Sequence, residues 1–424
     1  MHDLRMVRES IDALRDGMRR RGALDALSPA IDRAVSLDEA RRETIQAVEE
    51  RKAARNAVTQ QVGQRKRSGE DAGDLQQQSR ALGDEIAQLD RELAATEEEL
   101  SRILLDLPNI TLEQVPAGGE ESNARVRSWG SPREGTAVKP HWEIGEALRL
   151  IDFQRGAKIS GSGFIVFRGK GARLVRSLMN LMLDVHTRDH GYQETWVPVV
   201  VNRASMTGTA QLPKFEEDMY ALQGDDAFLI PTAEVPLTNL YREEILSASD
   251  LPMAFVAYSP CFRREAGAAG KDTRGLLRVH EFDKIELVRY VTPESSGEEL
   301  ELLTGHAEKI LQLLELPYRV IRLAAGDTGF ASAHTYDLEV YAPGVGKWLE
   351  VSSCSNFTDF QARRANIRYK PAEGGKPRFI HTLNGSGVAF PRIIAAILEH
   401  HQQDDGSVLI PAALRTYLGA ERLS

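Results

Sequence analysis

The chain has 424 residues, 42% of them hydrophobic, which suits two or three domains of about 150 residues each around a sizeable core. Its 62 acidic and 53 basic side chains leave a net charge of −9, so any RNA-binding surface must be local rather than a bulk property. The only cysteines are Cys261 and Cys354, outside any C-x-x-C, and there is neither an apolar leader nor a run of about 18 apolar residues, which speaks against a disulfide framework, a Cys-rich zinc site and a membrane span and predicts a soluble cytoplasmic protein.

In chain order, Leu4, Val7, Ile11, Leu14 and Met18 recur at steps of three and four and stop at Gly22, which predicts one amphipathic helix over residues 3–21. The capping box Ser36-x-x-Glu39 opens a long helix running to Arg65, Lys66 and Arg67, with breaks at Ser68, Gly69 and Gly73. The return helix carries Leu82, Ile86, Leu89, Leu93, Thr96, Leu100 and Ile103, the alternating spacing of a coiled-coil seam. The two helices should pair antiparallel into an arm of roughly 45 Å, at 1.5 Å per residue over about 30 residues, with the three basic residues near its tip. Taken alone, such a hairpin is more often a packing or oligomerisation device than an RNA-binding one, and a charge run is more often a solvated face.

Pro108 ends the arm. Residues 109–140, rich in Gly, Pro and Ser with little periodicity, are expected to be a linker between a helical domain over 1–108 and a mixed domain over 141–424. From His141 onward, residues 163–167 and 194–201 read as strands around a helix bearing Leu174, Leu178, Leu181 and Val185. Closely spaced later strands over 336–341 and 347–351 suit an antiparallel sheet with helices on one side. The expected class is α+β, with an antiparallel coiled-coil arm followed by that sheet. GKGAR at 169–173 is a truncated dinucleotide fingerprint in the wrong context.

The densest chemistry lies in residues 261–286, CFRREAGAAGKDTRGLLRVHEFDKIE, which reads as an antiparallel strand, loop, strand unit. Arg263, Arg264, Arg274 and Arg278 could fork onto phosphate oxygens, Glu265 could accept from an amino group and Phe282 could stack, a set matched to a nucleoside triphosphate. Two look-alikes fail. A phosphate loop would need Gly where Glu265 stands and Ser or Thr where Asp272 stands, and a zinc-protease H-E-x-x-H begun at His280 would need His where Lys284 stands. No zinc is expected.

The surviving pattern is F-R-x-E from Phe262, R-G-L-x-R-x-H-x-F from Arg274 and K-x-E from Lys284. It resembles motif 2 of the class II aminoacyl-tRNA synthetases in the form carried by the seryl-tRNA synthetase family, and the resemblance extends over essentially the whole chain. Residues 172–188 followed by E-T-W-V-P-V-V-V with Pro198 resemble motif 1, which implies a homodimer through that element, although Pro198 alone could be an edge-strand proline. L-I-P-T-A-E-V-P-L at 229–237 resembles the family's serine loop. With Glu286 and Arg263, and with Asn384 and Ser386 of the motif-3-like H-T-L-N-G-S-G-V-A-F-P-R at 381–392, it implies that Thr232, Ala233 and Glu234 bind L-serine.

W-L-E-V-S-S-C-S-N at 348–356 resembles the family's magnesium strand. It implies Glu350 and Ser353 as Mg²⁺ ligands, with nucleotide phosphates and waters completing the shell, and Val351 and Ser352 beside the nucleotide. ATP would then meet Arg263, Arg264, Glu265, Arg278, Val279, Phe282, Glu350 and Arg392, of which Arg263, Arg392 and Glu350 carry catalysis. The resemblance implies serine activation as an adenylate, transfer to tRNA(Ser) and, where present, tRNA(Sec), and an arm that grips tRNA through Arg65, Lys66 and Arg67. Two departures stand out: Glu281 where most relatives carry Gln, placing a negative charge near the nucleotide, and Gly163 where relatives often carry Arg. Two other readings stay open, a synthetase paralogue that loads a carrier protein and a coiled-coil scaffold with a defunct catalytic domain.

Overall fold

Helices alone build the first of two compact units, Met1–Pro108. The computed structural model describes residues 1–133, 138–266 and 274–424. Residues 267–273, which carry the phosphate-loop look-alike, and 134–137, within the glycine- and proline-rich stretch, lie outside the described residues.

The single helix expected over residues 3–21 is two, α1 (Leu4–Glu9) and α2 (Ile11–Arg20), because Ser10 leaves helical geometry at φ −141° and ψ 34°. Val7, Leu14 and Met18 are buried as their spacing requires. The next helix, α3, spans Leu24–Arg67 and so starts well before the expected capping box. Ser36 is interior to it, and its hydroxyl donates to the Asp32 carbonyl one turn back at 3.1 Å, a bond that replaces the cap. The buried series Ile31, Ala34 and Leu37 runs straight through the supposed start, which is why a local S-x-x-E signal lost to the longer apolar stripe.

The helix α4 (Gly73–Asp106) returns alongside α3. Ile86 and Leu100 are buried, and Leu82, Leu89, Leu93, Thr96 and Ile103 are half-buried, so the seam lies where its spacing put it. Ion pairs Arg33–Glu99 at 2.8 Å, Arg41–Glu97 at 2.8 Å, Arg51–Glu85 at 2.6 Å and Arg65–Asp74 at 3.0 Å run in opposite residue order along the two helices, which makes the pair antiparallel. Exposed pairs of this kind contribute at most about 1 kcal/mol each; they set register more than stability. Arg8 forks onto the buried carboxylate of Asp38 with two 2.7 Å bonds and ties α1 to α3. That fork is the main reason the Asp38 carboxyl is held below the usual aspartate range.

The second unit is Asn109–Ser424, and its first residues are part of its core rather than a linker. Asn109 is buried, with Nδ2 donating to the carbonyls of Ala331 and Phe357 at 2.9 Å each. β1 (Ala124–Trp129) is the first strand of an eight-stranded sheet whose others are β2 (Gln193–Glu194), β3 (Met253–Phe262), β4 (Glu281–Val291), β5 (Tyr318–Arg322), β6 (His334–Ala342), β7 (Lys347–Asn356) and β8 (His381–Ala389). Their order across the sheet is β1-β5-β6-β7-β8-β4-β3-β2, and every pairing is antiparallel except β2 with β3. Low apolar periodicity hid β1, since only two of its six residues are even half-buried.

Two strand expectations shrink. Only Val166 and Phe167 of residues 163–167 are extended, and residues 194–201 are split between the end of β2 and a separate strand Val200–Asn202, with Pro198 in neither. A proline has no amide to give a ladder, which accounts for the gap.

Three helices share one core with the sheet: α6 (Lys170–Arg188), α7 (Ser296–Leu313) and α8 (Phe390–His400), numbered after the short α5 (His141–Ala147). Strand alternation then sorts the chemistry. In β4, Ile285 and Leu287 enter that core, so Lys284 and Glu286 point to the opposite face. The functional side chains collect on the face these helices leave open. Cys261 and Cys354 are both free thiols and buried, and among the described residues no helix is long and apolar enough to cross a membrane.

Candidate active site

Two clefts open on that face, with volumes of about 620 and 1140 Å³. Arg263, Lys284, Glu350 and Ser386 line both, so the clefts meet at one guanidinium, one ammonium and one carboxylate.

The first cleft gathers the residues expected around a nucleotide: Arg263, Glu265, Arg278, Val279, Phe282, Glu350, Val351 and Arg392. β4 and the segments that join it to β3 supply the first five, β7 supplies Glu350 and Val351, and α8 supplies Arg392; Cys261 pairs with Phe282 and Phe262 with Glu281 across the ladder, leaving Arg263 just past the strand end with its amide donating to the His280 carbonyl at 2.9 Å. The Arg263 guanidinium lies 5.1 Å from the Phe282 ring centroid, a cation–π contact that orients it. Glu265 adopts a left-handed φ of 51° and accepts from Arg278 at 2.8 Å. The Arg392 fork is seated on two carbonyls, donating from Nε to Leu277 at 3.2 Å and from Nη1 to Glu350 at 2.6 Å. Two carbonyls thereby aim Arg392, with the Glu350 carboxylate a looser partner 3.7 Å from Nη1.

Other expected residues stand elsewhere. Arg264 lines neither cleft; its amide donates to the Asp218 carbonyl at 3.0 Å. Arg274 sits over the Trp142 ring, 4.6 Å from its centroid, and lines a neighbouring depression with Gly163 rather than the nucleotide cleft. Glu281 is exposed and lines neither cleft, so the charge expected beside the nucleotide is turned away. Gly163 has φ +83°, and a Cβ there would fall 2.3 Å from the His280 ring; this backbone has no room for the arginine that the family resemblance suggested at this position.

The second cleft is the larger of the two. Thr232, Glu234, Ser353, Asn384 and Ser386 line it. Glu286, fully buried, joins them through Asn384, whose Nδ2 donates to Glu234 at 2.9 Å and to Glu286 at 3.1 Å. Gln361 donates to the other Glu234 oxygen at 2.6 Å and is itself held by the Thr382 hydroxyl at 2.7 Å. Lys284 donates to the Thr232 hydroxyl at 2.9 Å and pairs with Glu286. Burial, reinforced by the Glu286 charge, pushes the Glu234 carboxyl up to about 7. Ala233 is buried and lines neither cleft, and Ser352 spends its hydroxyl on the Ser386 carbonyl at 2.5 Å.

Lys284, Gln361 and Thr382 carry much of this network without having been assigned roles from sequence. Lys284 had a signal, standing two residues before Glu286 on the same strand face; Gln361 and Thr382 reach the pocket only through the tertiary fold.

Glu350, where the clefts meet, and Ser353, on the wall of the second, offer hard oxygen donors. Across β6 and β7, Ser353 lies opposite Asp337, whose buried carboxyl is pushed well above the usual range by desolvation and by the nearby Glu350. Among the described residues no three His, Cys, Asp or Glu side chains converge to hold a metal. A sparse oxygen set fits an ion that takes most of its shell from phosphate and water, as Mg²⁺ does.

Comparisons with known proteins agree with this layout. Residues 1–111 match the Seryl-tRNA synthetase N-terminal domain family and residues 215–401 match the tRNA synthetase class II core domain (G, H, P, S and T). The chain is 66% identical to a serine–tRNA ligase of Gemmatimonas aurantiaca over 99% of both chains, and 53% identical to that of Carboxydothermus hydrogenoformans over 100% of this chain and 99% of the relative. In structure it superposes on the seryl-tRNA synthetase of Pyrococcus horikoshii, solved in complex with ATP, with a TM-score of 0.94 at 37% identity, covering 100% of this chain and 99% of that one. The chain therefore belongs to the seryl-tRNA synthetase family of class II aminoacyl-tRNA synthetases.

Proposed function

We propose that the protein joins L-serine to tRNA(Ser), and to tRNA(Sec) where that tRNA exists, through an enzyme-bound seryl-adenylate made from ATP. The observation that carries this reading is the junction of the two clefts. A guanidinium-lined cleft with an aromatic wall suits a nucleoside triphosphate, a cleft lined by Thr232, Glu234, Asn384 and Ser386 suits a small polar amino acid, and Arg263 lies on both. The serine carboxylate and the α-phosphate would meet there.

Each chain residue has a part. Arg263 neutralises charge on the α-phosphate during in-line attack, and Arg392, held by the Leu277 and Glu350 carbonyls, stabilises the departing pyrophosphate. Glu265 and Phe282 seat the base. Thr232, Glu234 and Glu286 receive the ammonium and hydroxyl of serine. Glu350 and Ser353 would hold Mg²⁺, which when bound offsets phosphate charge. Positioning and charge stabilisation carry both steps, so no covalent nucleophile is required. The second protomer of a homodimer would pack against the edge carrying Pro198, beside which Trp196 is 79% exposed. A cytoplasmic location follows from the need for tRNA.

Amino-acid-dependent ATP–pyrophosphate exchange tests the reading directly. Arg263→Ala removes a charge-assisted contact and should cost about 2–3 kcal/mol, slowing serine-dependent exchange by about 30- to 150-fold. Exchange within twofold of the unmodified enzyme would overturn the assignment.

The raised Glu234 carboxyl gives a pH dependence whose sign is fixed. A carboxyl raised in the folded state contributes stability fully present below its ordinary range and lost as pH rises through about 7. Substrate ammonium needs the ionised form, and with a value of about 7 the ionised fraction climbs from roughly one tenth at pH 6 to roughly nine tenths at pH 8. KM for serine should therefore fall several-fold over that interval, and Glu234→Gln should remove the slope. A slope of equal size in the Glu234→Gln variant would assign it to another group.

A further inference from the structure

A buried histidine–carboxylate pair outside both clefts is bonded to the backbone that lines the first one. His141 opens α5 and Glu399 lies near the end of α8, and both are completely buried. The Glu399 Oε1 accepts from the His141 amide at 2.9 Å and lies 2.7 Å from Nδ1, while Oε2 accepts from the Gly344 amide at 2.8 Å. The other ring nitrogen, Nε2, accepts from the Leu276 amide at 2.9 Å. A nitrogen that accepts from an amide carries no proton, so the neutral ring holds its proton on Nδ1 and donates it to Glu399.

This pair is an orienting device without a nucleophile, because its open end faces a peptide N–H. What it orients is the return of the motif 2 segment. Leu276 is buried in the core, the next carbonyl, Leu277, seats the Arg392 Nε, and residues 276–279 line the nucleotide cleft. Gly275 permits the approach: its φ is +72°, and a Cβ there would sit 2.3 Å from the His141 Nε2.

We infer that His141, braced by Glu399, is a positioning residue for the nucleotide, fixing the Leu276 amide and through it the Leu277 carbonyl on which Arg392 rests. The inference rests on the nucleotide reading of the cleft. It separates ATP from serine, since none of its bonds reaches the Thr232, Glu234, Glu286 and Asn384 network.

The test uses the full chain in ATP–pyrophosphate exchange, with KM for ATP and for serine measured separately. His141→Asn keeps a donor toward Glu399 but strips the acceptor from Leu276, whereas His141→Gln keeps an acceptor near the Nε2 position. The Asn variant should raise KM for ATP about tenfold with KM for serine within twofold, and the Gln variant should recover most of that loss. Gly275→Ala, which retains the His141 side chain but crowds its Nε2 away from the Leu276 amide, should reproduce the Asn pattern. A folded Asn or Ala variant with unchanged KM for ATP, or with both KM values raised alike, overturns the inference. Should these variants fail to fold, ¹⁵N spectra of histidine-labelled wild-type enzyme decide: a proton on Nδ1 of His141 is expected, and a proton on Nε2 overturns it. Wild-type enzyme lacking serine-dependent exchange would instead refute the nucleotide reading itself.

Discussion

Serine should exceed alanine as a substrate by roughly 10⁴-fold in kcat/KM for pyrophosphate exchange, because the pocket is built from groups that must be hydrogen-bonded. A site that bonds a substrate hydroxyl rejects the analogue lacking it by about that factor, since its buried polar atoms are left unpaired. Here the buried partners are explicit. Glu234 and Glu286 share the Asn384 amide, and Lys284 spans Thr232 and Glu286. Any amino acid that enters must disturb this network, and only one with a hydroxyl restores what it breaks. Threonine keeps the hydroxyl and cysteine nearly the size, so these two must be excluded by fit and polarity, and their ratios should be smaller. Alanine within about tenfold of serine would mean that the network is a structural feature and not the amino-acid site.

The second large effect concerns the arm. A chain beginning just before Asn109 should form seryl-adenylate and fail to charge tRNA. The chain divides into two compact units, and the residues lining both clefts all lie in the second. Asn109 must be retained, because its side chain bonds the Ala331 and Phe357 carbonyls. The α3–α4 seam is occupied by the helices themselves, leaving the outer faces and the tip for a partner. In the milder variant, Arg65, Lys66 and Arg67 are replaced by Ala. If they meet phosphates, tRNA affinity should weaken and the slope of log affinity against log salt should flatten by about 0.9 per lost contact, or somewhat less on single-stranded regions. Arg65 pairs with Asp74 at 3.0 Å, so its share should be smaller than a free arginine's. Full charging by the armless chain would return the hairpin to a packing role and bring the carrier-protein reading forward.

How much of this could be read from the sequence depends on the range of the interaction. The α4 seam and the antiparallel pair of strands that flank residues 263–280 are local patterns and stand where they were expected. Ser36-x-x-Glu39 misled because a four-residue signal competes with an apolar stripe many turns long. Residues 109–140 misled because an edge strand exposed along most of its length has no apolar period to detect. Arg264 and Arg274 were indistinguishable from Arg263 and Arg278 by composition; which of them faces the cleft is settled by Asp218 and Trp142, far away in sequence. His141 and Glu399, 258 residues apart, carried no local mark at all.

The central claim is tested most directly by capturing the intermediate. Enzyme incubated with ATP, labelled serine and pyrophosphatase should retain one equivalent of label per active site as seryl-adenylate, and addition of purified tRNA(Ser) should move that label to the tRNA 3′ end. Absence of serine-dependent label on the enzyme, or label that forms but does not pass to tRNA(Ser), would contradict the account.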